Sequence, residues 1–386
     1  MEVVARELWS GVWSLRLDAI AIALAAGLLL RASRSGAGRV PGLVIGLIAS
    51  AGILRSSFVG FAMVGALVYL AAAPLEKIQP SGPERLRRWR LGLWLLLVLI
   101  AGYVLLRLFP LPSLVLNGSL DPLTFAIDMW TVLRLTTFIW EVGSSRVRLP
   151  APLDFARWYV LPFTVIGPVL RYSELEALRA GGQPVPDDHR RLAGWVTAAL
   201  KLAAAAVLIA AGGWLLHASS GWRLTAVKGL HVFLIGPWSF YLTSAGYFQF
   251  MELCGSVAGL RLPASYDAPF GRVNLAEFWA RWNMTATRVF RDYLFMNRWG
   301  MRRVSLPFNA FVVFVVVGAW HGPNGYWLLW GALHGLGFAA FLIYRAQAAR
   351  WKWLTTLTAS PTVDAIATYV FVCVCWYLPS KILVRM

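Results

Sequence analysis

Two histidines in apolar surroundings are the side chains of this sequence best suited to acid-base chemistry. The chain has five histidines, and His321 and His334 lie in the apolar stretch that ends in GAWHGPNGYWLLWGALHG. An imidazole changes its charge near neutral pH, so a neutral, desolvated one can take a proton from a reacting group. The others are His189 in a polar loop and His217 and His231 near the ends of apolar runs, where an interfacial or solvated role is expected.

Asn283 is a polar residue in a largely amphipathic segment, and its side-chain amide can donate a hydrogen bond. It lies in the segment NLAEFWARWNMTATRVFRDYLF, residues 274–295. Apolar residues recur there with helical spacing, which predicts one continuous amphipathic helix whose apolar side consists of Leu275, Phe278, Trp279, Trp282, Ala286, Val289, Phe290 and Tyr293. Asn274 followed by Glu277 predicts a capping-box start. The segment is too charged to span a membrane, so it lies in the interface or against a helix bundle, and Asn283 on it has the alternative of a simple polar surface role.

The composition is that of a polytopic membrane protein. Hydrophobic residues make up 59% of the chain, charged residues 14%, and the mean hydropathy is +0.63, all outside the range of soluble domains. The net charge is +18. The basic residues behind it lie in short loops between apolar runs and not in one patch, a distribution that sets the orientation of membrane helices and does not indicate nucleic-acid binding. Cys254, Cys373 and Cys375 fit neither a disulfide framework nor a metal site, and no metal is expected. No cleavage site follows the first apolar run, so no removed signal peptide is expected.

Ten apolar runs predict transmembrane helices, near residues 14–30, 41–54, 58–75, 91–109, 122–140, 193–216, 229–252, 305–320, 325–344 and 362–379. Basic loops 31–40, 76–90 and 345–352 are expected on the cytoplasmic side, as is the long basic section 261–303. Loop 110–121 has no Lys or Arg and is expected outside.

The fifth run is polar on one side. Thr124, Asp128, Thr131 and Arg134 fall within about a third of its helical wheel, and polar groups in hydrocarbon face the bundle interior. They form either a satisfied structural network, which is the preferred interpretation, or the wall of a polar tunnel. The stretch around Pro162, Gly167 and Pro168 is too broken for a regular helix, and a re-entrant segment is predicted there.

Four blocks of the sequence together resemble the membrane-bound O-acyltransferase family. They are LPFTVIGPVLRY at 161–172, SAGYFQFMELCGSVAGLRLPASYDAPF at 244–270, the EFWxRW...RDYL block, and WHG with its trailing HG. The resemblance covers about residues 155–340 and is strongest to the bacterial branch that includes alginate O-acetyltransferases and the teichoic-acid D-alanylation protein. That branch usually has histidine after RW, whereas this chain has Asn283, as is more typical of the lipid-acylating branch.

The resemblance implies an all-α polytopic fold of about ten transmembrane helices, a re-entrant segment and an interfacial amphipathic helix, in one membrane domain over 1–386 with a catalytic core at 155–340. His321 occupies the family's catalytic position and Asn283 its second catalytic position. His334, in the trailing HG, is interpreted as pocket lining or helix packing more than as a base. Further residues predicted to contact substrate are Trp279, Trp282, Arg288, Trp320 and Arg171.

The function that the resemblance implies is transfer of an acyl group, expected to be acetyl, from a cytoplasmic thioester to a hydroxyl of an envelope glycan or glycolipid. The co-substrate would be acyl-CoA or an acyl carrier protein, with no permanently bound cofactor, in the bacterial inner membrane, and an extracytoplasmic accessory protein is a further candidate partner. Two alternatives stay open. One is an O-acyltransferase for lysophospholipids or other lipids, and the other is a membrane transporter or channel that uses the polar fifth run.

Overall fold

The computed structural model describes residues 17–33, 39–55, 58–78, 84–108, 129–180, 188–272, 274–295, 305–348 and 360–383. Within these ranges the chain is helical and forms no strand. The α-helices, in chain order, are α1 Leu17–Ser33, α2 Arg39–Leu54, α3 Phe58–Glu76, α4 Glu84–Leu108, α5 Met129–Gly143, α6 Pro152–Tyr159, α7 Tyr172–Ala180, α8 Asp188–Ala218, α9 Gly221–Leu230, α10 Gly236–Val257, α11 Leu275–Arg281, α12 Met284–Phe290, α13 Leu306–His321, α14 Gly325–Ala348 and α15 Pro361–Leu383.

The helices confirm an all-α, multi-pass membrane protein. Among the described residues, five helices are long and apolar enough to cross a membrane, and they are Phe58–Glu76, Leu86–Leu105, Arg191–Ala218, Gly325–Ala348 and Pro361–Pro379. Shorter apolar helices occupy Val40–Leu54 and Leu306–His321. Each predicted span overlaps a helix, but the predicted number of about ten spans is not confirmed. Loop 110–121, Thr124 and Asp128 lie outside the described residues, and the boundaries 1–386 and 155–340 stay predictions.

The chain divides into two compact units, each described here by itself. Among the described residues, the N-terminal unit comprises 17–196 and 247–263, and the C-terminal unit comprises 197–246 and those from 264 onward. The division falls within α8 and α10. His321, His334 and Asn283 all belong to the C-terminal unit.

In the N-terminal unit, the predicted break in helical structure is present between α6 and α7. Between Tyr159 and Tyr172 only a single 3-10 turn, Pro162–Thr164, forms, and this segment is buried almost throughout. Gly167 is required there because a Cβ atom would lie 2.4 Å from the carbonyl oxygen of Phe163. Irregular backbone away from water is tolerated only when its polar groups find partners inside the protein.

Side chains from neighbouring helices supply those partners. Arg134 of α5 donates from Nη2 to the carbonyl oxygens of Trp158, at 2.8 Å, and Tyr159, at 3.0 Å. Ser50 Oγ donates to the carbonyl oxygen of Val160 at 2.8 Å, and the Trp158 indole donates to that of Leu170 at 3.0 Å. Buried Arg134 therefore acts as a cationic cap on α6, where a positive charge also complements the helix dipole. This arrangement favours the structural-network interpretation of the fifth run over the tunnel.

Helices α13 and α14 of the C-terminal unit form a tightly packed hairpin. At Gly331 a Cβ atom would lie 2.4 Å from the Phe314 carbonyl oxygen, and at Gly318 it would lie 2.2 Å from that of Trp327. Only glycine permits this approach, as expected for closely packed membrane helices. Asn324 starts α14, since its side-chain oxygen accepts from the Trp327 amide at 3.1 Å.

The prediction of one continuous amphipathic helix over 275–295 is wrong. The segment forms α11, then a bend at Trp282 and Asn283, then α12 and a π-helical turn at Arg291–Phe295. Asn283 has left-handed backbone angles (φ 42°, ψ 54°), which asparagine tolerates better than most residues. The Met284 amide donates to the Ser265 carbonyl oxygen at 2.7 Å, outside the helix ladder. The predicted Asn274 cap is confirmed, because its side chain accepts from the Glu277 amide at 2.9 Å.

Candidate active site

His321 is the last residue of α13, immediately before the turn into α14. The helix ends there because Gly322 adopts an extended conformation while its amide donates to the Gly318 carbonyl oxygen at 3.1 Å. The imidazole stacks on Trp327 with ring centroids 4.5 Å apart and contacts the rings of Trp320 at 4.6 Å and Trp330 at 5.6 Å. His321 nevertheless stays partly exposed. It is a histidine with aromatic walls and an open side.

His334 lies one layer deeper and is 0% exposed. Its ring centroid is 4.4 Å from that of Trp330 and 5.1 Å from that of Trp279, with Phe314 and Phe371 completing the enclosure at 6.0 and 5.7 Å. Neither ring nitrogen has a hydrogen-bond partner among the described residues. A buried polar group without a partner is costly and is often found where a ligand or water completes the site.

Trp330 joins the two histidines into one cluster. Its indole contacts His321 on one side and His334 on the other. Trp279 of α11 packs edge-on against Trp330 at 6.0 Å, and its Nε1 is buried without a hydrogen-bond partner in the described part of the chain. The structure therefore brings the catalytic candidate, the trailing histidine and α11 together through aromatic rings.

Asn283 is placed by the bend between α11 and α12. On either side of it, Trp279 contacts His334, and Phe290 contacts Trp320 with ring centroids 5.3 Å apart. The Asn283 side-chain oxygen, Oδ1, is buried with no hydrogen-bond partner among described residues. Half a turn of the amide would present its N–H at that position instead. Asn283 is thus a half-buried residue whose amide oxygen is buried with unused hydrogen-bonding capacity, and it is held by the helices that contact the histidine cluster.

The other predicted substrate contacts occupy different environments. Trp282 is 6% exposed and sits among the rings of Phe240, Tyr241, Tyr266, Phe270, Phe278 and Trp376. Trp320 is also buried, and Arg288 lies in the last turn of α12. Arg171 belongs to the N-terminal unit, where its amide donates to Glu174 Oε2 at 3.0 Å. For all four residues a role toward substrate stays a prediction.

Sequence reasoning missed the walls around the histidines. Trp327 and Trp330 of α14 and Phe314 of α13 were not named as site residues, yet Trp327 makes the closest ring contact to His321 and Trp330 the closest to His334, while Phe314 lies 6.0 Å from His334. A signal was present in the spacing. Residues 327, 330 and 334 recur at i, i+3 and i+7, as do 314 and 321 at i and i+7, which places each set on one face of its helix.

The chemistry available at this cluster is proton transfer and hydrogen-bond donation. His321 offers a partly exposed imidazole, and Asn283 an amide with unused capacity. Within the ranges that the structure describes, no group of three or more His, Cys, Asp or Glu side chains is arranged to hold a metal ion.

Three curated proteins with similar sequences are each named for the transfer of an acyl group. The chain is 27% identical over 145 residues to the teichoic acid D-alanyltransferase of Bacillus subtilis, covering 35% of this chain and 37% of that protein. It is 27% identical over 138 residues to the peptidoglycan O-acetyltransferase of Helicobacter pylori, covering 34% and 25%. It is 32% identical over 101 residues to the probable alginate O-acetylase AlgI of Pseudomonas syringae pv. tomato, covering 26% and 20%.

These relatives are named for the same envelope modifications as the bacterial branch of the membrane-bound O-acyltransferase family that the sequence resembles. The relatives are those of the bacterial envelope branch, so the resemblance predicted from the four sequence blocks is confirmed. No protein-family model matches the chain. The aligned segments span between a fifth and just over a third of these relatives' own lengths. The assignment of Asn283 to the second catalytic position of the family stays a prediction.

Proposed function

We propose that this protein is a membrane O-acyltransferase that moves an acyl group, acetyl in the first instance, from a thioester to a hydroxyl of an envelope glycan or glycolipid. The observation that carries the proposal is the partly exposed His321 held among Trp320, Trp327 and Trp330 at the end of α13. The relatives support the reaction class, because each is named for acylation of an envelope polymer.

In the proposed reaction, neutral His321 takes the proton from the acceptor hydroxyl as its oxygen attacks the thioester carbonyl carbon. The carbonyl π electrons move onto oxygen, and the Asn283 N–H stabilises that oxyanion. Collapse of the tetrahedral intermediate breaks the carbon–sulfur bond. The leaving thiolate then takes the proton from the His321 imidazolium. Because the acceptor attacks the thioester directly, no acyl-enzyme is needed. The tryptophan walls restrict water, which would otherwise hydrolyse the thioester.

The donor is proposed to be acyl-CoA or an acyl carrier thioester arriving from the cytoplasm, with the protein in the bacterial inner membrane. The acceptor is proposed to be reached from the outer side, where an accessory protein would present the polymer. These assignments rest on the family and on the predicted distribution of basic loops.

The test is thioester consumption by the purified full-length protein in lipid nanodiscs, with acetyl-CoA carrying a labelled acetyl group. With an envelope glycan fraction as acceptor, we expect label in the glycan and release of one free thiol per acetyl transferred. Label that remains entirely in acetyl-CoA, or label transported without thiol release, would contradict the enzyme and favour a transporter.

A second candidate acceptor is a membrane lipid, and Asn283 is the observation that favours it, since it occupies a position where the glycan-modifying branch usually has histidine. The same assay decides between the two acceptors. Label that extracts into chloroform with lysophospholipid as acceptor, and not with glycan, would identify a lipid O-acyltransferase.

A further inference from the structure

A cavity of about 490 Å³ opens within the C-terminal unit, apart from the histidine cluster. Its lining includes Leu216 near the end of α8, Tyr326 at the start of α14, and Lys228, about two turns after the start of the continuous helical stretch that α9, a π-helical turn at His231–Ile235 and α10 form together. His321 ends α13 and Tyr326 lies in the first turn of α14, so the two residues flank the same short turn. The volume is within the range of small-molecule sites.

The cavity is apolar and aromatic with a basic edge. Val232, Phe240 and Trp376 are among the apolar residues of its lining, and Lys228 and His231 are the basic ones. No carboxylate lines it, and no ion pair of Lys228 is present among the described residues. The sequence from 189 to 251 contains no Asp or Glu. An occupant with an apolar body and a negative charge would therefore meet complementary chemistry at both ends.

Lys228 directly precedes the span predicted at 229–252, which places its ammonium group at the expected depth of lipid headgroups. Cations at the ends of spans extend into the interface, where phosphates of the membrane lie. The spans predicted at 193–216 and 229–252 place the connection between them outside, yet it carries Arg223 and Lys228. Positive charge on an outer loop runs against the topological preference, so topology does not account for these residues.

We propose that this cavity binds a membrane amphiphile with an anionic phosphate headgroup, its apolar chain against Phe240 and Trp376 and its phosphate at Lys228. The Lys228 ammonium provides a charge-assisted hydrogen bond to the phosphate. Arg223 lies on the same helix, but it does not line the cavity, and its guanidinium lies over the Trp222 ring, 5.7 Å from the centroid.

One residue of the cavity lining, Tyr326, is connected to the histidine cluster through Trp327. Tyr326 lines the cavity and donates from its hydroxyl to the Trp376 carbonyl oxygen at 2.9 Å. Its ring also packs edge-on against Trp327 at 5.0 Å, and Trp327 stacks on His321. The bound amphiphile would thus lie one aromatic layer from His321. Binding does not depend on catalysis at that residue, so His321→Ala is expected to bind the lipid like wild type.

The experiment measures equilibrium binding of fluorescent phosphatidylglycerol to the detergent-solubilised full chain, with phosphatidylcholine of the same acyl chains for comparison. Lys228→Gln is expected to weaken phosphatidylglycerol binding about fivefold, the effect of one basic residue near a lipid phosphate. Arg223→Gln removes the same charge from the same helix and is expected to leave binding unchanged. Val232→Trp fills the cavity and is expected to weaken binding of both lipids.

Three results would overturn the proposal. Equal weakening by Lys228→Gln and Arg223→Gln would indicate general attraction to the basic helix. Displacement of the lipid by excess inorganic phosphate would indicate a small-anion site without a role for the apolar walls. Wild-type binding by both Lys228→Gln and Val232→Trp would place the lipid elsewhere. Because Lys228 is exposed, its substitution tests the site without disturbing the core.

Discussion

The two breaks in helical structure of this protein differ in how their polar groups are hydrogen-bonded. Between α6 and α7 in the N-terminal unit, the carbonyl groups around the break accept hydrogen bonds from Arg134, Ser50 and Trp158. At the bend between α11 and α12 in the C-terminal unit, the backbone is tied by the Met284 amide and by Thr287 Oγ1, which donates to the Trp282 carbonyl oxygen at 2.9 Å.

The second break also has buried side-chain groups of the C-terminal unit close to it. Asn283 Oδ1, Trp279 Nε1 and both nitrogens of His334 are buried without hydrogen-bond partners within the described ranges. Buried groups that are fully paired stabilise a fold, whereas unpaired ones are tolerated where function requires them. The paired carbonyl groups therefore indicate a structural role for the first break, and the unpaired side-chain groups support the proposal of an active site beside the second.

The largest effect is expected at Asn283. Removing one oxyanion donor typically lowers turnover by about 10²- to 10³-fold. Asn283→Gly should show that loss without backbone strain, because glycine accepts left-handed angles. Asn283→Asp should be equally poor, since a carboxylate only accepts hydrogen bonds, while Asn283→His should keep part of the activity through its ring N–H.

Asn283→Ala is a less direct test at this position, because a left-handed alanine is strained by about 1 to 2 kcal/mol. The glycine and histidine variants are therefore the matched pair, compared by initial rate of acyl transfer at equal thermal stability. If glycine and aspartate both retained the wild-type rate, Asn283 would be a bend residue only.

At the first break, the expected effect is on stability and not on turnover per folded molecule. Arg134→Met keeps an apolar chain of comparable length but removes the side-chain donor to the buried carbonyl of Tyr159 and one of the donors to that of Trp158, at a cost of roughly 1 to 3 kcal/mol. Thermal unfolding in detergent should show a clear loss for Arg134→Met and almost none for exposed Arg87→Met. A stable Arg134→Met protein with abolished transfer would revive the polar tunnel.

The smallest effect is expected at His334. His334→Phe preserves a ring in the aromatic enclosure but removes both nitrogens, and loss of one hydrogen bond in the occupied site corresponds to a roughly tenfold decrease in kcat. The Michaelis constant should change little if His334 positions the reacting groups through Trp330. His334→Asn, which restores a donor and an acceptor, should recover part of the rate. Wild-type kcat in His334→Phe would make this residue packing alone.

Much of this arrangement is readable in the sequence. Apolar runs located the helices and Asn274 marked the start of α11. The WHG tripeptide pointed to His321, whose catalytic role stays a prediction. The buried face of residues 275–293 was also predicted correctly, because the spacing of apolar residues continues through the bend.

That same continuity hid the bend itself. A single left-handed residue changes direction without disturbing the spacing, and only the presence of asparagine hinted at it. The role of Arg134 was undecidable for another reason: its partners are backbone carbonyls of a different segment, Trp158 and Tyr159, and carbonyl groups leave no mark in sequence. The unpaired nitrogens of His334 likewise depend on packing across three helices.

The measurement that tests the central claim most directly is acyl transfer by His321→Ala beside His217→Ala, each purified and confirmed folded. His217 is exposed at the end of α8 and serves as the matched substitution. Loss of the general base should lower the rate roughly 10²-fold or more in His321→Ala, with His217→Ala at the wild-type rate. A folded His321→Ala protein that transfers acyl groups as fast as wild type would remove this histidine from the mechanism.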